Sequence, residues 1–212
     1  LTNQAGAIIG TAIVNELGDW SISVDQDAVV AMGQGLETLR AMAADPAGNL
    51  STPVYTTITV DTEVPDAPTI DPVTDDGIIN GTEATEGFNI TGTGTAGDTI
   101  TLTNEAGTVI GTAVVTVGGT WSIPITQANV TAMGQGLETL NARATDTAGN
   151  SSTPATASIT VDTIAPTAPT INVIAGDNIV NIVEANSGFD ITGTGTAGDT
   201  ITLTNEAGTL IG

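Results

Sequence analysis

Between Thr156 and Asp162 apolar and polar positions alternate. Ala157, Ile159 and Val161 fall on one face, and Ser158, Thr160 and Asp162 on the other. A period of two sets one face of a strand against a core and the other in water. Ala67–Asp71, Ile78–Asn80, Phe88–Gly92, Thr99–Asn104, Val109–Val115, Trp121–Ile125 and Leu137–Thr145 also read as short strands. Turn signals separate them: Gly94, Gly97 and Asp98, then Glu105-Ala106-Gly107, then Gly118-Gly119. Thr126–Met133 departs from this rhythm and predicts one or two helical turns, with Thr126 as N-cap and Gly134 just past the end. The pattern predicts an all-β, two-sheet sandwich with a small aliphatic core, in which Trp121 and Phe88 are the large anchors.

The same pattern returns at a fixed interval. LTNQAGAIIGTA begins at Leu1, LTNEAGTVIGTA at Leu102 and LTNEAGTLIG at Leu203, so the spacing is 101 residues both times. Trp20 pairs with Trp121, Asp45 with Asp146, Asp61 with Asp162 and Glu83 with Glu184, without a slip in register. A period of this length is domain-sized and too long for a solenoid rung. The linkers are Asp61–Pro68 and Asp162–Pro169, each with two prolines three residues apart that stiffen an extended backbone. The expected organisation is a C-terminal part of one repeat in residues 1–63, a complete repeat in 64–164, and an N-terminal part of the next in 165–212. Both ends fall at the same phase of the repeat, so the chain reads as a window on a longer polymer. Seven or so strands per repeat, without a disulfide, match a tandem array of immunoglobulin-like Greek-key β-sandwiches arranged end to end as a rod. Each domain should advance such a rod by roughly 40 Å, from strands of about eight residues plus loops and linker.

Composition narrows the chemistry. The 212 residues carry 24 Asp+Glu against 2 Lys+Arg, a formal charge of −22, with no His and no Cys. Neither a thiol nucleophile, an imidazole metal site, a Ser-His-Asp triad nor a phosphate-binding lysine can be assembled. So acidic a chain repels nucleic acid and anionic membrane surfaces. No apolar run reaches the length of a membrane span. The 40 threonines favour pleated strands over disorder. The excess of carboxylates attracts hard cations, and Ca²⁺ takes six to eight oxygen ligands.

A family resemblance rests on particular segments. DNIVNIVEA at Asp177–Ala185 and DGIINGTEA at Asp76–Ala84 resemble the opening motif of bacterial Ig-like repeats. The GTW-S-I piece ending at Ile123, the AMGQG turn, the ATDTAGN loop at Ala144–Asn150 and the closing ITVDTIAPTAPT at Ile159–Thr170 resemble the same family. Such repeats form the extender regions of giant RTX adhesins of Gram-negative bacteria, exported by type I secretion. The resemblance implies a secreted protein displayed on the bacterial cell surface, many tandem copies, and Ca²⁺ that rigidifies the chain. It implies a spacer that projects a distal binding domain for adhesion or biofilm formation.

Several acids recur at the repeat period: Asp45/Asp146, Asp61/Asp162, Asp76/Asp177, Glu83/Glu184 and Asp98/Asp199, together with Glu37/Glu138 and Glu105/Glu206. Sandwich topology indicates which could converge on Ca²⁺. At the first junction Asp61 should meet Asp98, Asp146 and the Asn150 carbonyl. At the second, Asp162 and the loop Asp75, Asp76…Glu83 should meet Asp199, with Asp177 and Glu184 as the next copies of the same loop. The competing explanation for each acid is a turn cap through local side-chain to backbone hydrogen bonds. Glu37, Glu138, Glu105 and Glu206 read as solvated positions.

The partners expected are neighbouring repeats of the same chain in a monomeric rod, with no nucleic acid, no membrane insertion of this segment and no small-molecule substrate. An enzyme is not expected: no clustered aromatics frame a pocket, and each copy would have to be catalytic. The alternative function is an Ig-like module that binds carbohydrate, ice or a cell surface. The threonine-rich string Thr91–Asn104 could present a flat surface to such a ligand, but alternating Thr on a solvent-facing strand is the stronger explanation.

Overall fold

The computed structural model describes residues 1–211. In chain order its elements are α1 (Gln26–Met32), β1 (Gly35–Ala41), β2 (Val54–Val60), β3 (Ile78–Asn80), α2 (Gly81–Glu86), β4 (Phe88–Thr93), β5 (Thr99–Thr103), β6 (Val109–Val114), β7 (Thr120–Ile125), α3 (Gln127–Met133), β8 (Gly136–Thr145), β9 (Ala155–Asp162), β10 (Thr170–Ile171), α4 (Ile182–Ser187) and β11 (Gly193–Thr194).

The middle repeat forms a complete sandwich. One sheet has the order β3-β9-β8-β5-β6, and the facing sheet pairs β4 with β7. The chain enters along the second sheet, where Thr69 N–H donates to the Thr93 carbonyl and Asp71 N–H to that of Thr91, both at 2.9 Å. It then crosses over. β3 lies parallel to β9, with Ile78 opposite Thr160 and Asn80 opposite Asp162. The first segment therefore borders both sheets, and the expected strand at Ala67–Asp71 is an extended edge held by these two hydrogen bonds.

Alternation places Ile90, Trp121, Ile123 and Ile125 of one sheet against Ile100, Leu102, Leu140 and Ala142 of the other, all at most 2 % exposed. Each of these isoleucine and leucine side chains contributes about 1.5–3 kcal/mol on full burial. Trp121 is 2 % exposed, and its indole N–H donates to the Thr93 carbonyl at 3.2 Å. Gly92 makes room for it: a Cβ there would lie 2.6 Å from the indole Cζ2 and would run into the Thr69 carbonyl. Phe88, expected as the second anchor, is only half-buried at the margin of the core. It stands at the start of β4 beside a shallow open recess shared with Pro124 and Gln127.

Two short helices lie against each other beside the sandwich. α3 has the expected cap, since Thr126 Oγ1 accepts from Asn129 N–H. Asn104, 3 % exposed, ties α3 to the β5–β6 turn: its amide donates to the Ala132 carbonyl at 3.1 Å while its Oδ1 accepts from Thr108 N–H. α2 lies in a stretch read from sequence as a loop. Asn80 Oδ1 accepts from the N–H groups of Thr82 and Glu83, and Glu83 Oε2 accepts from Asn80 N–H at 2.9 Å. This reciprocal capping box starts the helix, and Gly87 at φ 77° ends it.

The flanking copies contain the same local devices without the second layer. Residues 1–63 hold α1 and the β1–β2 hairpin, and residues 165–211 hold α4 and the β10–β11 pair. Trp20 is 52 % exposed where Trp121 is buried, and Phe189 and Tyr55 are also exposed. Among the aromatic side chains of the described residues, Trp121 alone is fully buried.

Candidate metal centre

The pole of the middle domain nearest the first linker is built from two loops and one incoming strand end. Asp98 closes the Thr95–Asp98 turn between β4 and β5. Its N–H donates to the Thr95 carbonyl at 3.1 Å, and its own carbonyl accepts from Val115 N–H at 2.8 Å. These bonds draw the residue inward, so Asp98 is 6 % exposed. Its Oδ2 is buried with no hydrogen-bond partner, alone in this among the side-chain atoms of the described residues. Burial raises the Asp98 carboxyl above its ordinary range, and the nearby charge of Asp146 raises it further. A buried carboxylate oxygen without donor or counter-ion is costly.

Asp146 heads the β8–β9 loop. Its Oδ1 accepts from the N–H groups of Ala148 and Asn150, both at 2.9 Å, and its Oδ2 from the Asn150 side-chain amide, also at 2.9 Å. The Asn150 hydrogen bond leads in holding this carboxyl below its usual range. The turn is local in origin, because Asp45 and Asn49 repeat it in the first copy with the same donors. In the middle domain the asparagine also reaches a neighbour. Asn150 Nδ2 donates to the Asp61 carbonyl at 3.2 Å and to Asp61 Oδ1 at 3.4 Å. The expected contact was through the Asn150 carbonyl, but that oxygen is used inside its own turn, where it accepts from Asp146 N–H.

Asp61, Asp98, Asp146 and Asn150 therefore share one pole, and the first three are hard-oxygen donors of the kind Ca²⁺ takes. Among the described residues, no three acidic side chains cluster closely enough to enclose an ion by themselves. The orphaned Asp98 oxygen is the feature that a cation fits. The ligand shell would need the Asp61 carboxylate or carbonyl and solvent to complete it.

The opposite pole is more dispersed. Asp162 lies opposite Asn80 in the β3–β9 ladder, and its Oδ1 accepts from Ile164 N–H at 3.3 Å. Asp76 Oδ1 accepts from Ile78 N–H at 2.9 Å, and Asp177 repeats this with Ile179. Asp75 and Asp199 are exposed. Glu83 and Glu184 serve the capping boxes of α2 and α4. No hydrogen bond among the described residues joins Asp199 to Asp162 or to the Asp75–Glu83 segment.

Residues 64–162 match the family model of the bacterial Ig domain. The central domain is a bacterial Ig domain. The flanking segments are partial copies of it, by the 101-residue repeat. No curated protein is detectably similar in sequence. Solved structures similar to the chain include a Ca²⁺-stabilised adhesin with which an Antarctic bacterium reaches out and binds ice, at 30% identity, TM-score 0.44, over 89% of this chain and 46% of that one. A bacterial immunoglobulin-like domain from the M. primoryensis ice-binding adhesin aligns over 47% of this chain and 100% of its own, at 29% identity and TM-score 0.35. A tetra-tandem repeat from the extending region of a large adhesion protein aligns over 81% of this chain and 42% of its own, at 25% identity and TM-score 0.40. The chain thus spans less than half the length of the first and last of these. No helix among the described residues is long and apolar enough to cross a membrane.

Proposed function

We propose that this chain is an extender segment of a bacterial cell-surface adhesin, in which bacterial Ig domains stacked end to end hold a distal binding region away from the cell. The segment performs no catalysis, and its partners are the neighbouring repeats of the same chain. Ca²⁺ stiffens its joints. At the first joint Asp98, Asp146 and Asp61 supply carboxylates, and Asp162 and Asp199 take the corresponding places at the second.

One observation carries this reading. Asp98 Oδ2 is buried and unpartnered at the pole where the preceding copy docks, with a second carboxylate beside it. A bound cation supplies the missing charge and lets both copies share ligands. Bound Ca²⁺ contributes charge neutralisation and no chemistry. Without it the two carboxylates repel across the pole.

Thermal unfolding and small-angle scattering of the whole chain, in Ca²⁺ and in chelator, test the proposal. Ca²⁺ should raise the melting temperature and lengthen the maximum dimension. Superimposable curves in the two conditions would sink it.

A further inference from the structure

We propose that Gln34 is a positioning residue for the first joint, a metal-independent clamp that fixes Asp61 before any ion arrives, and that Gln135 has this role at the second joint. The inference rests on the reading of the first joint as a metal site and adds a residue to it.

The clamp has the same form in both copies. Gln34 Oε1 accepts from Thr62 N–H at 3.0 Å, and Gln34 Nε2 donates to Thr62 Oγ1 at 2.6 Å. Gln135 Oε1 accepts from Thr163 N–H at 3.1 Å, and its Nε2 donates to Thr163 Oγ1 at 2.6 Å. One primary amide thus satisfies both the backbone and the side chain of the residue that opens the linker. Each glutamine stands between two glycines of positive φ: Gly33 at 81° and Gly35 at 98°, then Gly134 at 95° and Gly136 at 100°. A Cβ at Gly33, Gly35 or Gly136 would meet nothing within 4 Å. Space is therefore not what calls for glycine at these three positions; the backbone conformation that aims the glutamine at the linker is.

The placement matters because of what lies between. The last ladder pair of the β1–β2 hairpin is Gly35 with Val60. Asp61 follows, and Thr62 is clamped by Gln34. Asp61 is thus fixed on both sides by its own domain, by the ladder at Val60 and by the clamp at Thr62. Its outward carbonyl and carboxylate receive Asn150 Nδ2 from the next domain. Gln34 extends the order of the hairpin by two residues into the linker, so that Asp61 faces the Asp146 loop. An amide suits this role, since a charged side chain would add repulsion or compete for the cation. Preorganising a ligand reduces the ordering cost of binding.

The test uses the whole chain and the variants Gln34→Ala, Gln135→Ala and Asp98→Asn. Calorimetric titration with CaCl₂ gives the affinity of the site that Asp98→Asn abolishes. Gln34→Ala should weaken that site roughly tenfold, as loss of a supporting partner does, while Gln135→Ala leaves it unchanged. NMR of the metal-free chain should show the Asn150 side-chain amide resonances displaced in Gln34→Ala and not in Gln135→Ala. A purely structural role would lower the melting temperature and leave the affinity alone. Unchanged affinity in Gln34→Ala overturns the clamp, whatever the amide resonances do. If the unsubstituted chain binds no Ca²⁺, the metal site itself fails. The clamp is then judged by the Asn150 resonances alone, and their constancy overturns it.

Discussion

Asn150 and Asp61 meet 89 residues apart in sequence, the asparagine amide donating to the aspartate carbonyl across the joint between two copies. The same amide hydrogen-bonds Asp146 at 2.9 Å, so the loop of one domain and the strand end of another share a donor. Asn150→Asp removes that donor and sets a third carboxylate against Asp61 and Asp146. Scattering in chelator should then give a broader distribution of end-to-end lengths than for the unsubstituted chain. The central domain should lose about 1 kcal/mol, the typical worth of one hydrogen bond. An unchanged distribution would remove Asn150 from the joint.

Asp98→Asn has opposite consequences with and without the ion. In chelator it replaces a buried charge by a neutral amide that can donate towards Asp146, so the melting temperature should rise. Relief of an unpartnered polar group is worth on the order of 1–3 kcal/mol, and each kcal/mol moves a domain of this size by about 4–8 °C. In Ca²⁺ the further rise seen for the unsubstituted chain should disappear. Calorimetric scans in both buffers read both effects, and a melting temperature that falls in chelator would contradict the orphaned state of Asp98 Oδ2.

Gly92→Ala tests the approach of the two sheets. The new methyl has no room between the Trp121 ring and the Thr69 carbonyl, and overpacking of this kind costs about 1–3 kcal/mol. Circular dichroism should show the central domain unfolding several degrees earlier. The equivalent Gly193→Ala runs into the Thr170 carbonyl but meets no tryptophan ring, and it lies in the separate two-stranded β10–β11 pair, so it should have a smaller effect on unfolding of the central domain.

Glu83→Ala should remove half of the α2 capping box and lower stability by about 0.5–1 kcal/mol. Glu83→Gln, which keeps an acceptor for Asn80 N–H, should recover most of it. If the carboxylate acts only as a cap, the Ca²⁺-induced rise in melting temperature is the same in both variants. A reduced rise in both would return Glu83 to the metal ligands.

Much of this was legible along the chain because the signals are local. Thr126 caps α3 in the way its side chain dictates, and Ala157, Ile159 and Val161 alternate as a half-buried strand must. The α2 helix was equally local, since Asn80 and Glu83 stand three apart before Gly87, but it spans only six residues and shows no apolar period. The turn at Asp146 could be read from Asp and Asn four residues apart. That its asparagine would also reach Asp61 could not.

The sequence by itself determined the repeat, the succession of short strands along the chain and the pairing of acids at a fixed period, because each depends on residues near one another or on simple recurrence. Only the tertiary structure decided that Asp98 is buried with an unpartnered Oδ2 and that Asn150 meets Asp61 across the joint. Both depend on packing between elements distant in sequence, which no local pattern records.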